Sequence, residues 1–294
     1  MRDRFVEVAT ELLEVEPRLA LVLADISTDR FLANGAYQRH PQRVVNVGIR
    51  EPLMVNVAAG MALEGMRPIA HSFAPFLIER SYEQVKLGFA HQGVGGILVS
   101  SGAPYDTAAY GRTHQTAADV ALMASLPGWR VEVPGHADEA EALLRDAIAS
   151  DDAVYLRLSD QQNERPHPVD SGRLVRVREG GGPTVIAVGP MLDPALEATA
   201  ALDATVLYAS TVRPFDGETL RSAISGTDVV LIEPCLEGTS AAEVSSALAD
   251  RPHRLLSIGI PNVEHRKYGS ARRHNAAHGL DAAGLRGRIE AWAG

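Results

Sequence analysis

Residues 43–64 read RVVNVGIREPLMVNVAAGMALE, and this stretch decides the fold. It opens with a short β-branched run, Arg43–Gly48, that predicts a buried strand. Apolar residues then recur at helical spacing over Pro52–Glu64, and Pro52 suits a first helical turn because its missing N–H costs little there. A strand followed at once by a helix is the repeating unit of parallel α/β sheets.

The same alternation extends through the first half of the chain. The predicted strands are apolar on both faces, as expected for a mostly parallel sheet covered by helices. They are Leu19–Ser27, Arg43–Gly48, Arg67–Phe73, Gly95–Ser101, Trp129–Pro134 and Ala153–Leu158. The predicted helices are Pro52–Glu64, Leu77–His91, Ala117–Leu126 and Ala137–Ala149, and Thr116 followed by Asp119 resembles a capping box.

A second alternating set follows a polar segment that is rich in Pro and Gly. Residues 163–183 are predicted to be a linker. We therefore predict two doubly wound α/β domains, residues 1–162 and residues 184–294. The second is predicted to hold strands Thr184–Gly189, Thr205–Ala209, Val229–Glu233 and Arg254–Ile260 and a helix over Asp281–Trp292.

Composition narrows the class of partner. Hydrophobic residues make up 46% and charged residues 22%, as in ordinary globular proteins. A net charge of -9 without a basic run argues against nucleic acid and anionic membrane, so we expect a small-molecule substrate. The single cysteine, Cys235, excludes an internal disulfide, and the chain shows no signal-length apolar segment. We therefore expect a cytoplasmic protein.

Glu51 is the first candidate functional residue. It directly follows a predicted strand, and the carboxyl ends of strands in open α/β sheets border the ligand crevice. The alternative is that Glu51 only favours a helix N-terminus through the macrodipole.

Seven short motifs follow one another along the chain. They are NVGIRE at 46–51, AAGMALEG at 58–65, FAPFLIERSYEQ at 73–84, THQ at 113–115, LPGWRVEVPGHADEAE at 126–141, VYLRLS at 154–159 and TVRPFD at 211–216. Together they resemble the pyrimidine-binding and C-terminal half of the transketolase family, in particular the C-terminal subunit of a split, two-subunit transketolase.

The resemblance implies thiamine diphosphate as cofactor. In this family a protein carboxylate hydrogen-bonds or protonates the pyrimidine ring, whose own amino group then takes the thiazolium proton. Glu51 matches that carboxylate, and Ile49 lies in the same motif and is expected to contact the cofactor. Phe73 and Phe76 match aromatic residues that pack on the pyrimidine. Without the resemblance, both would be read as ordinary core aromatics.

The resemblance also implies substrate residues. His114 of the THQ motif is expected to contact the ketol as a proton donor or hydrogen-bond partner, the alternative being a neighbour of a helix cap. Arg80 either faces substrate or is a solvated or ion-paired helix residue. Tyr110 and Asp160 also fall at positions that face substrate in the family. His71 and His91 are expected to be structural or surface residues.

A partner chain is implied as well. The family's other cofactor module carries a GDG motif and paired asparagines that hold Mg²⁺ or Ca²⁺ and the diphosphate, and this sequence has neither. No metal ligand is therefore expected here. The resemblance implies an N-terminal transketolase subunit that supplies both groups, in a heterotetramer with two chains of each kind.

Four positions depart from the family. Pro52 follows the glutamate where His or Gln is usual, and Tyr110 replaces an aspartate that reads sugar hydroxyls. Gly102 and Asp160 replace a histidine and an arginine that contact the acceptor's phosphate. Since a carboxylate repels phosphate, the predicted acceptor is not a standard sugar phosphate.

The predicted function is transfer of a two-carbon ketol unit from a ketose to an aldehyde. Chemistry like that of deoxyxylulose-phosphate synthase or of a 2-oxo-acid dehydrogenase beta subunit would keep the same glutamate and is the enzymatic alternative. A non-catalytic binding subunit is the other alternative, and the presence of Glu51 and His114 weighs against it.

Overall fold

The computed structural model describes residues 1–170, 172–264 and 266–293. Its strands are β1 Leu19–Leu23, β2 Val44–Asn46, β3 Arg67–Phe73, β4 Gly96–Ser101, β5 Trp129–Glu132, β6 Ala153–Arg157, β7 Leu174–Arg178, β8 Thr184–Val188, β9 Thr205–Ala209, β10 Thr211–Arg213, β11 Asp228–Leu236 and β12 Arg254–Ile260. Its α-helices are α1 Arg2–Val15, α2 Thr28–Ala33, α3 Ala36–Arg39, α4 Glu51–Leu63, α5 Tyr82–Val85, α6 Asp119–Ala124, α7 Ala137–Ala149, α8 Leu192–Ala198, α9 Gly217–Ala223, α10 Ala241–Ala247, α11 Ala271–Ala277 and α12 Ala282–Ala293.

The first sheet has the strand order β10-β5-β6-β4-β3-β1-β2. All of its pairings are parallel except that of β10 with β5. Every residue of β1 and β4 is buried, because helices cover both faces of the sheet. Helix α1 packs against α7 on one of these faces.

The second sheet has the strand order β12-β11-β8-β9-β7, with β7 antiparallel to β9. Its central strands β8 and β9 are also fully buried. The two sheets share one apolar cluster, which runs from Trp129 and Val131 in β5 to Ile186 in β8 and Leu231 in β11. The prediction of two mainly parallel α/β domains is confirmed.

Several elements differ from the prediction. The short helices α2, α3, α8, α9, α10 and α11 were not predicted. Strand β7 lies inside residues 163–183, which were predicted to be a linker, and β10 was not predicted. Both are short antiparallel edge strands, and β7 is only partly buried, so neither carries the apolar run of a central strand. Helix α1 was also missed. The predicted helix Leu77–His91 consists of α5 between two π-helical turns, Pro75–Glu79 and Lys86–Ala90.

The predicted capping box is wrong. Helix α6 begins at Asp119, and its N-cap residue Ala118 makes no side-chain cap. The hydroxyl of Thr116 donates instead to Glu79. Asp119 is fully buried and accepts hydrogen bonds from Tyr155 and Arg157.

Buried polar contacts fix the two domains against each other. Arg157 in β6 pairs with Asp119 at 2.6 Å and also donates to the carbonyl of Pro234 in β11. Tyr208 in β9 donates to Glu139 in α7. None of the helices in the described part of the chain combines the length and apolarity needed to cross a membrane.

Candidate active site

Glu51 is the first residue of α4, directly after the loop that leaves β2. Asn46 pins this loop, since its side-chain oxygen accepts from the backbone N–H groups of Asp25 and Gly48, both at 3.0 Å. Gly48 has a φ of 73°, a left-handed conformation that favours glycine. The turn delivers Glu51 to the carboxyl edge of the first sheet, where it is only 1% exposed.

Arg80 is the hydrogen-bond partner of Glu51. Its Nη1 donates to Oε2 of Glu51 at 2.7 Å. The Arg80 side chain is 45% exposed, whereas that of Glu51 is 2% exposed, so the guanidinium lies at the mouth of the site. Arg80 follows the π-helical turn Pro75–Glu79, and such turns recur at functional sites. The same guanidinium lies 4.2 Å from the centre of the Phe76 ring.

Four rings lie close together next to Arg80, and we call them the aromatic cluster: Phe73, Phe76, Tyr110 and His114. The His114 ring lies 5.9 Å from Phe73, 5.0 Å from Phe76 and 5.0 Å from Tyr110, measured between centroids. Phe73 and Phe76 are 6.3 Å apart and tilted by 67°. Both phenylalanines are half-buried, and Tyr110 is 68% exposed. The cluster is therefore partly open to solvent, and Arg80, which lies over the Phe76 ring, connects it to Glu51.

His114 is held in a defined orientation. Its Nδ1 lies 2.9 Å from the hydroxyl of Thr113, and its carbonyl accepts from Thr107 at 2.9 Å. Burial, with a smaller contribution from nearby Arg80, lowers the pKa of His114 below its ordinary value. The imidazole is therefore neutral at neutral pH, with one ring nitrogen able to donate and the other to accept.

A polar pocket of about 260 Å³ adjoins the cluster at Phe73. Asp160, Gly102 and Thr107 line it. Gly102 has a φ of 85°, and a Cβ there would lie 2.9 Å from the Phe73 ring. A larger residue at position 102 would therefore displace Phe73.

Sequence reasoning missed two cations in this pocket, Arg2 and Arg30. Arg30 pairs with Asp3. Arg2 lies 5.5 Å from the centre of Phe73, and its Nε donates to the Ser27 hydroxyl at 2.8 Å. The helical spacing of the buried residues Phe5, Val8, Ala9 and Leu13 would have predicted α1, which carries Arg2.

Ile49 and the two unassigned histidines lie outside this grouping. Ile49 is 70% exposed, so within this chain its side chain lies at the surface. His71 is fully buried between the Ser27 hydroxyl and the Val99 carbonyl, and burial lowers its pKa to about 3. His91 is exposed.

The residues present fit the pyrimidine part of thiamine diphosphate. A flat heterocycle needs a ring face for packing and a carboxylate for its ring nitrogen, and Phe73, Phe76 and Glu51 provide both. Within the described residues, no three His, Cys, Asp or Glu side chains come together in a way that could hold a metal ion.

These side chains define a candidate site at the carboxyl edge of a mainly parallel sheet in an α/β protein. Two family models match the chain: the transketolase pyrimidine-binding domain matches residues 1–165, and the transketolase C-terminal domain matches residues 172–285. The chain belongs to the transketolase family.

Relatives of similar length support the family. The chain is 48% identical over 286 residues to an uncharacterised 33.6 kDa protein in the fasciation locus of Rhodococcoides fascians, covering 96% of this chain and 91% of that protein. It is 32% identical to the 6-deoxy-6-sulfo-D-fructose transketolase subunit SqwH of Clostridium sp. (strain MSTE9), covering 88% and 84%. A solved structure described as a split-gene transketolase, an inactive beta4 tetramer, superposes with a TM-score of 0.85 at 26% identity, covering 99% and 96%.

Longer relatives include the 1-deoxy-D-xylulose-5-phosphate synthase of Acidovorax ebreus (strain TPSY), which is 33% identical over 267 residues. The match covers 86% of this chain and 41% of that enzyme. The chain thus corresponds to less than half the length of such a synthase.

Proposed function

We propose that this chain is the C-terminal subunit of a thiamine-diphosphate-dependent transketolase, which transfers a two-carbon ketol unit from a ketose to an aldehyde. The observation that carries the proposal is the buried carboxylate of Glu51 beside the aromatic cluster. Arg80 pairs with this carboxylate and lies over the Phe76 ring, so a flat ring with a hydrogen-bonding edge, such as the pyrimidine, could make the same two contacts.

Each residue then has a chemical role. Thiamine diphosphate, when bound, supplies the nucleophilic carbon. Glu51 holds a proton at the pyrimidine ring nitrogen, while Phe73 and Phe76 pack on the ring and exclude water. The neutral imidazole of His114 donates a hydrogen bond to the ketol oxygen, and its other ring nitrogen can accept the proton that a substrate hydroxyl releases as its carbonyl forms. Ile49 contributes apolar contact next to Glu51.

The proposal includes a partner. An N-terminal transketolase subunit would hold the diphosphate with Mg²⁺ or Ca²⁺ and close the cleft, and the assembly would be a heterotetramer. SqwH is described as a transketolase subunit, and the solved neighbour is described as a tetramer of beta chains that is inactive. The exposed apolar residues Ile49 and Leu53, which flank Glu51, fit coverage by another chain.

The acceptor is proposed to be other than a short sugar phosphate, with Arg80, Tyr110 and Asp160 facing it. The polar pocket holds the cations Arg2 and Arg30 together with the carboxylates of Asp3 and Asp160. Because the opposite charges are interspersed, the pocket suits a polar acceptor that is neutral or carries an amino group better than a dianion.

The second candidate is synthase chemistry that decarboxylates a 2-oxo acid, which the similarity to deoxyxylulose-phosphate synthases favours. It would use the same Glu51. Turnover of ketose donors with aldehydes, compared with pyruvate and aldehydes, separates the two reactions. A non-catalytic binding subunit would turn over neither.

The proposal is tested by calorimetry with thiamine diphosphate and Mg²⁺. The isolated chain should bind the cofactor weakly, and the chain assembled with the complementary subunit should bind it tightly and transfer ketol units. Tight, metal-dependent binding by the isolated chain would refute the shared site, and an assembled complex without turnover would refute the enzyme.

A further inference from the structure

Arg80 makes the two contacts that the proposed function assigns to the pyrimidine ring of the cofactor. Its guanidinium hydrogen-bonds the carboxylate of Glu51 at 2.7 Å and lies over the Phe76 ring at 4.2 Å. A guanidinium is planar and carries N–H donors at its edge, as an aminopyrimidine does. One side chain of the protein thus makes both contacts through which the ring would be recognised.

A ring bound between Glu51 and Phe76 would compete with Arg80 for these contacts. Glu51 is 2% exposed at its side chain, so few directions of approach remain to its carboxylate, and Arg80 occupies one of them. Arg80 itself is 45% exposed and follows a π-helical turn, which leaves its long side chain free to swing toward solvent without a change in the buried core.

We propose that Arg80 is a stand-in for the pyrimidine: it neutralises Glu51 and covers Phe76 in the chain without cofactor, and it leaves both when thiamine diphosphate binds. This inference rests on the proposed function. Breaking the Glu51–Arg80 pair lowers the affinity for the cofactor. In return, the buried carboxylate of Glu51 always has a partner. Because Arg80 also lowers the pKa of His114, its departure would ease protonation of that imidazole.

The test measures affinity rather than turnover. Arg80→Met keeps an unbranched apolar stem but removes the charge and the donors, so the assembled complex should bind thiamine diphosphate with Mg²⁺ about tenfold more tightly, or better, by calorimetry. Arg80→Lys keeps the charge but cannot lie flat on Phe76, and it should give an intermediate affinity. The gain from Arg80→Met should shrink in molar NaCl, because salt weakens the pair in the wild type.

A matched control comes from the second domain. Arg254 lies 4.4 Å over the Trp292 ring, so Arg254→Met removes the same kind of contact away from the site and should leave cofactor affinity unchanged. Equal or weaker binding by Arg80→Met, with a wild-type complex that binds normally, would overturn the stand-in role and leave the proposed function intact. Absence of cofactor binding by wild type and variant alike would overturn both.

Discussion

The imidazole of His114 lies edge-on to the Phe76 ring, with centroids 5.0 Å apart and planes at 76°. The contact joins the loop after β4 to the π-helical turn after β3. Because parallel strands end at the same edge of a sheet, these segments meet although they are distant in sequence. Glu51, Arg80 and the polar pocket are grouped around this contact, and the predictions for the site depend on it.

Glu51→Gln should slow cofactor activation by about 100-fold or more, since the amide is isosteric but cannot supply the proton. The side-chain oxygen can still accept from Arg80, so the fold should persist. Hydrogen–deuterium exchange at the thiazolium carbon of the assembled enzyme measures the step. Glu64→Gln, exposed at the other end of α4, is the control. Wild-type exchange in Glu51→Gln would remove Glu51 from the mechanism.

His114→Asn should lower kcat/KM for the ketose donor by roughly 100-fold while leaving cofactor affinity nearly unchanged, because the imidazole acts on substrate oxygens. Since its lowered pKa keeps the ring neutral, the loss should be constant across neutral and mildly alkaline pH. Steady-state kinetics checks this against His91→Asn, an exposed histidine. Equal kinetics in the two variants would contradict the assigned role.

The assembled enzyme should use neutral and amino aldehydes better than ribose 5-phosphate or erythrose 4-phosphate. Asp160→Asn should raise kcat/KM for ribose 5-phosphate by about tenfold, because it removes a carboxylate from the pocket beside Arg2 and Arg30. Asp151→Asn, at the amino end of β6, is the control. Efficient turnover of either sugar phosphate by the wild type would contradict the proposed acceptor class.

The contribution of Glu233 to stability should fall as pH rises through the range in which this side chain ionises. Burial raises the pKa of Glu233 from 4.5 to about 7, so between these values the folded chain holds a proton that the unfolded chain has released. The stabilising effect of this proton is complete below 4.5 and is lost as pH passes 7, a change of about 3 kcal/mol.

Urea unfolding of Glu233→Gln isolates this effect, because the amide cannot ionise and Arg213, Ser240 and Glu243 remain around it. As pH rises, the unfolding free energy of the wild type should fall relative to that of Glu233→Gln. Buried His71 has the opposite effect, because its lowered pKa makes the fold less stable as pH falls below the ordinary pKa of histidine. It is present in both proteins, so its effect cancels in the comparison. Glu218→Gln, an exposed carboxylate, should show no such trend, and a flat difference for Glu233→Gln would contradict the prediction.

Much of the fold could be predicted from local pattern. The bounds of β3, β9, β12 and α7 match the predicted Arg67–Phe73, Thr205–Ala209, Arg254–Ile260 and Ala137–Ala149. Continuous apolar runs identify central strands because both of their faces are covered. Strands β7 and β10 escaped prediction because an edge strand obtains its stability from a distant neighbour, and its own residues carry little of that signal.

The sequence by itself determined the α/β class, the family motifs and the identity of the candidate residues Glu51, Phe73, Phe76 and His114, since each depends on residue type and order along the chain. Only the tertiary structure decided that Arg80 pairs with Glu51 and that Arg2 lies beside Phe73. The physical reason is that contacts between distant segments depend on how helices and strands pack. A sequence motif specifies the chemistry of a side chain, whereas packing determines which charges it meets.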